Sequence, residues 1–120
     1  MNDPSVESSE ELNFLLGRDG SLVVYQEKDT SWVGVPAFSS EEKAREFVHA
    51  SNLDVVDIAS IRSDDAGSIA ELIRSIKKRA VRNLLLDLDY RSGKCVIIDF
   101  IGDGLGPRRE WRFTPAKKTG

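Results

Sequence analysis

The apolar residues Ile69, Leu72, Ile73, Ile76 and Ala80 recur at i, i+3, i+4, i+7 and i+11. This spacing draws one buried stripe down a helix and is the clearest periodic signal in the chain. Ser63-Asp64-Asp65 supplies a helix start just before it. Beyond the stripe, residues 84–89 and 94–100 read as strands joined by Tyr90-Arg91-Ser92-Gly93. A helix with one apolar stripe that runs into an apolar strand must fold back onto a sheet, because neither can leave its side chains in water.

Side-chain period sets the register of that hairpin. A three-residue loop, Arg91-Ser92-Gly93, with Gly93 left-handed in a bulged type I turn, puts Asp87 opposite Ile97. One face then carries Leu84, Leu86, Leu88, Val96, Ile98 and Phe100; the other carries Leu85, Asp87, Asp89, Cys95, Ile97 and Asp99. A two-residue loop would mix aspartates into both faces. The wholly apolar face is expected under the helices.

Upstream, residues 12–16 and 22–26 are apolar runs flanking Asp19-Gly20, a hairpin signal. Residues 32–38 read as a third strand, its later part demoted by Pro36 to an edge or an exit, since proline has no ladder N–H. Ser39 with Glu42 makes a capping box, Ala44, Phe47 and Val48 the stripe of a first helix, and Asn52 its stop. Residues 54–61 are apolar on both alternating faces, as in an inner strand. The order β-β-β-α-β-α-β-β contains two strand–helix–strand crossovers. It predicts one α/β (α+β) domain, a mixed sheet of five to six strands with both helices on one face.

Charge is unevenly spread. The chain has 17 Lys and Arg against 20 Asp and Glu, a net charge of −3. Residues 1–11 hold Asp3, Glu7, Glu10 and Glu11 and no basic residue, and read as a disordered acidic arm. Residues 12–113 form the domain and 114–120 a flexible basic tail. Near the end, Arg108, Arg109, Arg112, Lys117 and Lys118 outnumber Asp103 and Glu110. No apolar run exceeds four residues, against the roughly 18 a membrane span needs. The opening Met1-Asn2-Asp3-Pro4 has no apolar stretch behind it, so no secretory signal is expected. A single cysteine, Cys95, forms no internal disulfide, which fits the reducing cytoplasm.

The catalytic vocabulary is thin. Cys95 and His49, the only His, would be the nucleophile and base of a thiol enzyme, and nothing in the sequence brings them together. Asp87, Asp89 and Asp99 share a face and could suit Mg²⁺, but a solvated face paired with Arg91 and Lys94 explains them better, so no metal or other cofactor is expected. The glycine-rich Gly102-Asp103-Gly104-Leu105-Gly106-Pro107 lacks the Gly-Lys-Ser/Thr of a phosphate loop and reads as a flexible turn. Arg74, Lys77, Lys78, Arg79 and Arg82 exceed what a helix C-terminus requires. Arg108-Arg109-Glu110-Trp111-Arg112-Phe113 interleaves arginine with two aromatics. Trp111 and Phe113 suit a core or edge strand first, a protein interface second and nucleic acid last, because residues 12–100 are not basic overall.

Val35-Pro36-Ala37-Phe38-Ser39-Ser40-Glu41-Glu42 resembles the segment of the SseB-like N-terminal domain family in which a strand with proline and an aromatic runs into a helix start. The helix, strand, helix and apolar strand that follow, ending in Leu84-Leu85-Leu86-Asp87, are similar too, over roughly residues 32–100. The chain departs where that family often has Asn-Pro; here stands Asp89-Tyr90. The resemblance implies a small bacterial α/β module without established catalytic residues.

The expected function is therefore a non-catalytic bacterial protein-interaction or accessory module. Its partner-binding residues would be Asp87, Asp89, Asp99, Arg108, Arg109, Trp111, Arg112 and Phe113. Another protein is the expected partner, with the C-terminal segment also a candidate for self-association; a membrane or nucleic acid is not. Two alternatives stay open: an immunity protein that neutralises a basic toxin or nuclease through an acidic face, and a small ligand-binding domain or enzyme.

Overall fold

Three consecutive leucines cannot all point to one side of a strand, so burying Leu84, Leu85 and Leu86 together requires cover on both faces of a sheet. A computed structural model, which describes residues 10–26, 33–55 and 57–112, places them 0%, 0% and 5% exposed. They form β5 (Asn83–Leu86), which pairs in parallel with β3 (Val33–Phe38) and antiparallel with β6 (Lys94–Ile101). The other elements are β1 (Glu11–Leu16), β2 (Tyr25–Gln26), α1 (Glu41–Ser51), β4 (Asp57–Arg62), α2 (Ala66–Lys77) and β7 (Gly104–Arg112). Together they make a single compact domain, one mixed sheet in the order β4-β1-β3-β5-β6-β7, with β2 added to β3.

The two helices lie on opposite faces, a correction to the expectation that they share one. Ile69, Ile73 and Ile76 of α2 pack with Leu12, Phe14, Val35, Ala37, Leu84, Leu86 and Ile98. Ala44 and Phe47 of α1 pack with the intervening residues, Leu15, Phe38, Leu85 and Ile97. Connection direction is the cause. The β3–α1–β4 crossover moves toward the β4 edge, and β4–α2–β5 comes back across β1 and β3. Two right-handed crossovers that travel in opposite senses must leave their helices on opposite sides.

Pro36 sits in a central strand, not at an edge or exit. The Ala37 carbonyl accepts the Asp87 N–H at 2.7 Å, so Ala37 faces β5 and Pro36 faces β1. There the β1–β3 ladder runs through Asn13–Phe38 and Phe14–Ala37 and stops before Pro36. The next carbonyl along β1, that of Leu15, accepts the Val23 N–H at 2.9 Å in place of the donor proline lacks. This arrangement also undoes the expected first hairpin. A single Leu16–Leu22 bridge remains of it, and Tyr25 and Gln26 pair instead with Gly34 and Val33 of β3.

At the late hairpin, Leu84 faces Ile98 and Leu86 faces Val96, two residues away from the expected register. Gly93 is left-handed, as its place in the turn demands, but the loop is longer: Asp89 N–H donates to Lys94 O, and Gly93 N–H to Asp89 O. Asp87 is left-handed as well, at φ 54°, and ends β5. The side-chain alternation slips there, sending Leu88 to the α1 side instead of the face of Leu84 and Leu86.

Helix ends follow local chemistry. Ser40, one residue after the expected cap, accepts Lys43 N–H at the start of α1, and Asn52 closes it at φ 57°. Asp65 caps α2 by accepting Ser68 N–H. Ala80, expected in the α2 stripe, lies past the helix at φ 64°. Glu11 opens β1 and Glu10 exchanges hydrogen bonds with Ser63, so both belong to the sheet and not to the arm. The remainder of the arm, the tail, Trp32, Val56 and Phe113 lie outside the described residues.

Burial on both faces predicts equal penalties for Leu85→Ala and Leu86→Ala, about 2–5 kcal/mol each in denaturant unfolding. A Leu85→Ala change that costs nothing would mean that only one face is covered.

Candidate functional site

A sheet edge offers unpaired backbone groups, and proteins guard such edges with proline and charge. β7 has both, in Pro107, Arg108, Arg109 and Arg112. It pairs along one side with β6 and is, among the described residues, the terminal strand of the sheet. In sequence its first half reads as a flexible turn, because Gly104, Gly106 and Pro107 are breaker residues. Gly106 is there by necessity: a Cβ would fall 2.6 Å from the Asp99 carbonyl oxygen, at the irregularity between Ile98 and Phe100. The signal that would have revealed the strand is the turn sequence Gly102-Asp103-Gly104, with Gly102 left-handed.

Cross-strand pairing decides where the β7 side chains lie. Arg108, Glu110 and Arg112 face Ile98, Val96 and Lys94, on the α2 side; Arg109 and Trp111 face Ile97 and Cys95, on the α1 side. Arg108 forms an ion pair with Glu10. Arg109 reaches back to Asp99 at 3.2 Å, a half-exposed pair worth under about 1 kcal/mol. Trp111 is 43% exposed and borders a hollow of about 510 Å³ with Cys95, Lys94, Asp89 and Glu110. Arg112 and Lys94 stand directly opposite with like charge.

The three aspartates do not act together. Asp87 is half-buried and accepts Ser39 N–H at 2.8 Å and Ser39 Oγ at 2.9 Å, with Lys43 Nζ at 3.4 Å. It ties the end of β5 to the β3–α1 junction. Asp89 accepts the Arg91 N–H within its own turn, and that bond holds its carboxyl below the ordinary carboxylate range. Asp99 is occupied by Arg109. Among the described residues no group of three or more His, Cys, Asp or Glu side chains is arranged to hold a metal ion. Leu85 and Ile97, expected on the same face as these aspartates, are covered by α1, whereas Asp89 stays exposed and Asp99 half-exposed.

The basic cluster is largely consumed by structure. Arg74 pairs with Asp103 at 3.1 Å, Lys77 donates to Gly102 O at 2.6 Å, and Arg79 donates to Leu22 O at 2.7 Å. These contacts staple the β6–β7 turn and the segment after β1 to the end of α2. Among the described residues no helix is long and apolar enough to cross a membrane.

His49 and Cys95 remain apart. His49 lines a groove of about 1010 Å³ between α1 and the turn after β5, with Phe47 and Tyr90 in edge-to-face contact at 5.8 Å. Cys95 borders the smaller hollow, and burial pushes its thiol up to about 11. Such a thiol is protonated at neutral pH and is a poor nucleophile. No family model, curated protein or solved structure matches the chain.

Two outcomes are expected from this geometry. Asp87→Ala removes charge-assisted hydrogen bonds and puts alanine in a left-handed conformation, lowering stability by about 2–4 kcal/mol, with Asp87→Asn costing less; equal stabilities in urea titrations would refute the clamp. For Cys95, the unfolded chain loses the thiol proton near 9.0 and the folded chain near 11, so the folded state holds the extra proton between them. Its stability therefore falls as pH rises through that window, and Cys95→Ala removes this slope. Identical pH profiles of the two proteins would contradict it.

Proposed function

We propose that this chain is a non-catalytic bacterial protein-interaction module, working in the cytoplasm, that offers the β7 edge to a protein partner. The observation that carries this reading is Trp111, half-exposed on β7, with Arg109 beside it on the α1 side and Glu110 and Arg112 turned to the α2 side of the same strand. Tryptophan and arginine dominate binding hot spots, because each brings a large contact area together with a directional polar group. As the last strand of the sheet among the described residues, β7 adds a row of backbone donors and acceptors that suits an extended segment. Kinship of residues 32–100 with the SseB-like N-terminal domain family is part of this proposal, and from it come the accessory role and the bacterial origin. The acidic face an immunity protein would present finds less support, because Asp87 and Asp99 are engaged within the chain.

One observation favours a second reading, a small-ligand domain: the groove of about 1010 Å³ floored by Phe38, Phe47 and Leu88. Affinity purification of the tagged chain from its native host separates the two. A stoichiometric protein partner that disappears with Trp111→Asp, at unchanged melting temperature, is the expected result. A co-purifying small molecule that is lost on blocking the α1 groove with Ala50→Trp, and is indifferent to Trp111, would replace the proposal.

A further inference from the structure

We propose that β7 takes as its partner a second copy of this chain, the two β7 strands pairing antiparallel about a two-fold axis at Trp111. This rests on the reading of the β7 edge as the binding surface. Two strands that continue one sheet about a two-fold axis must set residues of the same face opposite one another, so the axis passes through a residue and never between two. Within residues 108–112 that leaves few choices. An axis at Arg108, Arg109 or Arg112 sets an arginine against itself. An axis at Glu110 sets glutamate against glutamate and Arg108 against Arg112. With the axis at Trp111, Glu110 of each copy faces Arg112 of the other, twice, and Trp111 faces Trp111.

Two features of the single chain favour that register. Arg112 already stands opposite Lys94 of its own β6, and an incoming carboxylate relieves the repulsion between them. Trp111 is 43% exposed beside its hollow, and a second indole across the axis covers it with an aromatic cross-strand pair. Arg108 and Arg109 keep their pairings to Glu10 and Asp99, which the new strand does not compete for.

Sedimentation velocity of the full chain over a concentration series tests the proposal. The wild type is expected to shift from one to two chains as concentration rises. Glu110→Arg and Arg112→Glu, each confirmed folded by its melting curve, weaken association by about tenfold or more, since each variant turns two attractive pairs into repulsive ones. Mixing E110R with R112E restores a two-chain species, because every charged pair across the axis is again opposite in sign. A wild type that stays monomeric, a dimer indifferent to both reversals, or a mixture that fails to associate overturns the proposal. Should the wild type be monomeric while a different host protein still depends on Trp111, the second copy is excluded and the interaction module stands. If Trp111→Asp changes no host complex either, both readings fall.

Discussion

β5 is hydrogen-bonded along both edges and its leucines are buried on both faces, so four residues impose conditions on every neighbouring element. Each leucine contributes about 1.5–3 kcal/mol only while its own face is covered. That requires α2 over Leu84 and Leu86 and α1 over Leu85. The need for two covers explains why the chain leaves β3 in one direction along the sheet and returns to β5 from the other. β1 fills the space between β3 and β4, and its one buried polar side chain, Asn13, joins the two by donating to Phe38 O at 3.0 Å and accepting from Ser60 Oγ. Asn13 thus satisfies its own amide oxygen and nitrogen across three strands, whereas the buried Asn83 Oδ1 at the start of β5 has no hydrogen-bond partner among the described residues.

Much of this was legible in sequence wherever a signal is local. The stripe Ile69, Ile73, Ile76, the caps near Ser40 and Asp65, the stop at Asn52 and the left-handed Gly93 each depend on a few adjacent residues. Facing was not legible by the same means. The rule of right-handed crossovers fixes a helix only once strand order is known, and strand order depends on which distant segments pair. Pro36 misled for a related reason: the missing N–H was read correctly, but its direction within the sheet is a tertiary fact, and it points where Val23 supplies a substitute. β7 was hidden because an edge strand protects itself with the residues that mark loops.

The site was legible in part. Arg108, Arg109, Trp111 and Arg112 do lie on one exposed strand, and their nearness in sequence made that visible. An alternation that the left-handed Asp87 interrupts groups Asp87, Asp89 and Asp99 in sequence; Asp89 finds its partner two residues on, at Arg91, but the partner of Asp87 is too far away to be read from sequence. Ser39 lies 48 positions from Asp87. Carboxylates at strand ends are therefore ambiguous until the backbone groups they cap are known.

Residues 17–23 look like a dispensable connection between β1 and β2, yet the Leu15 carbonyl they reach carries a different implication. The acceptor stands beside a proline that can never serve it, in a protein interior where an unserved carbonyl costs about 1–3 kcal/mol. The length of that connection is thereby set by the reach of a single amide. A graft or deletion that displaces Val23 would be felt at the centre of the sheet instead of at the surface.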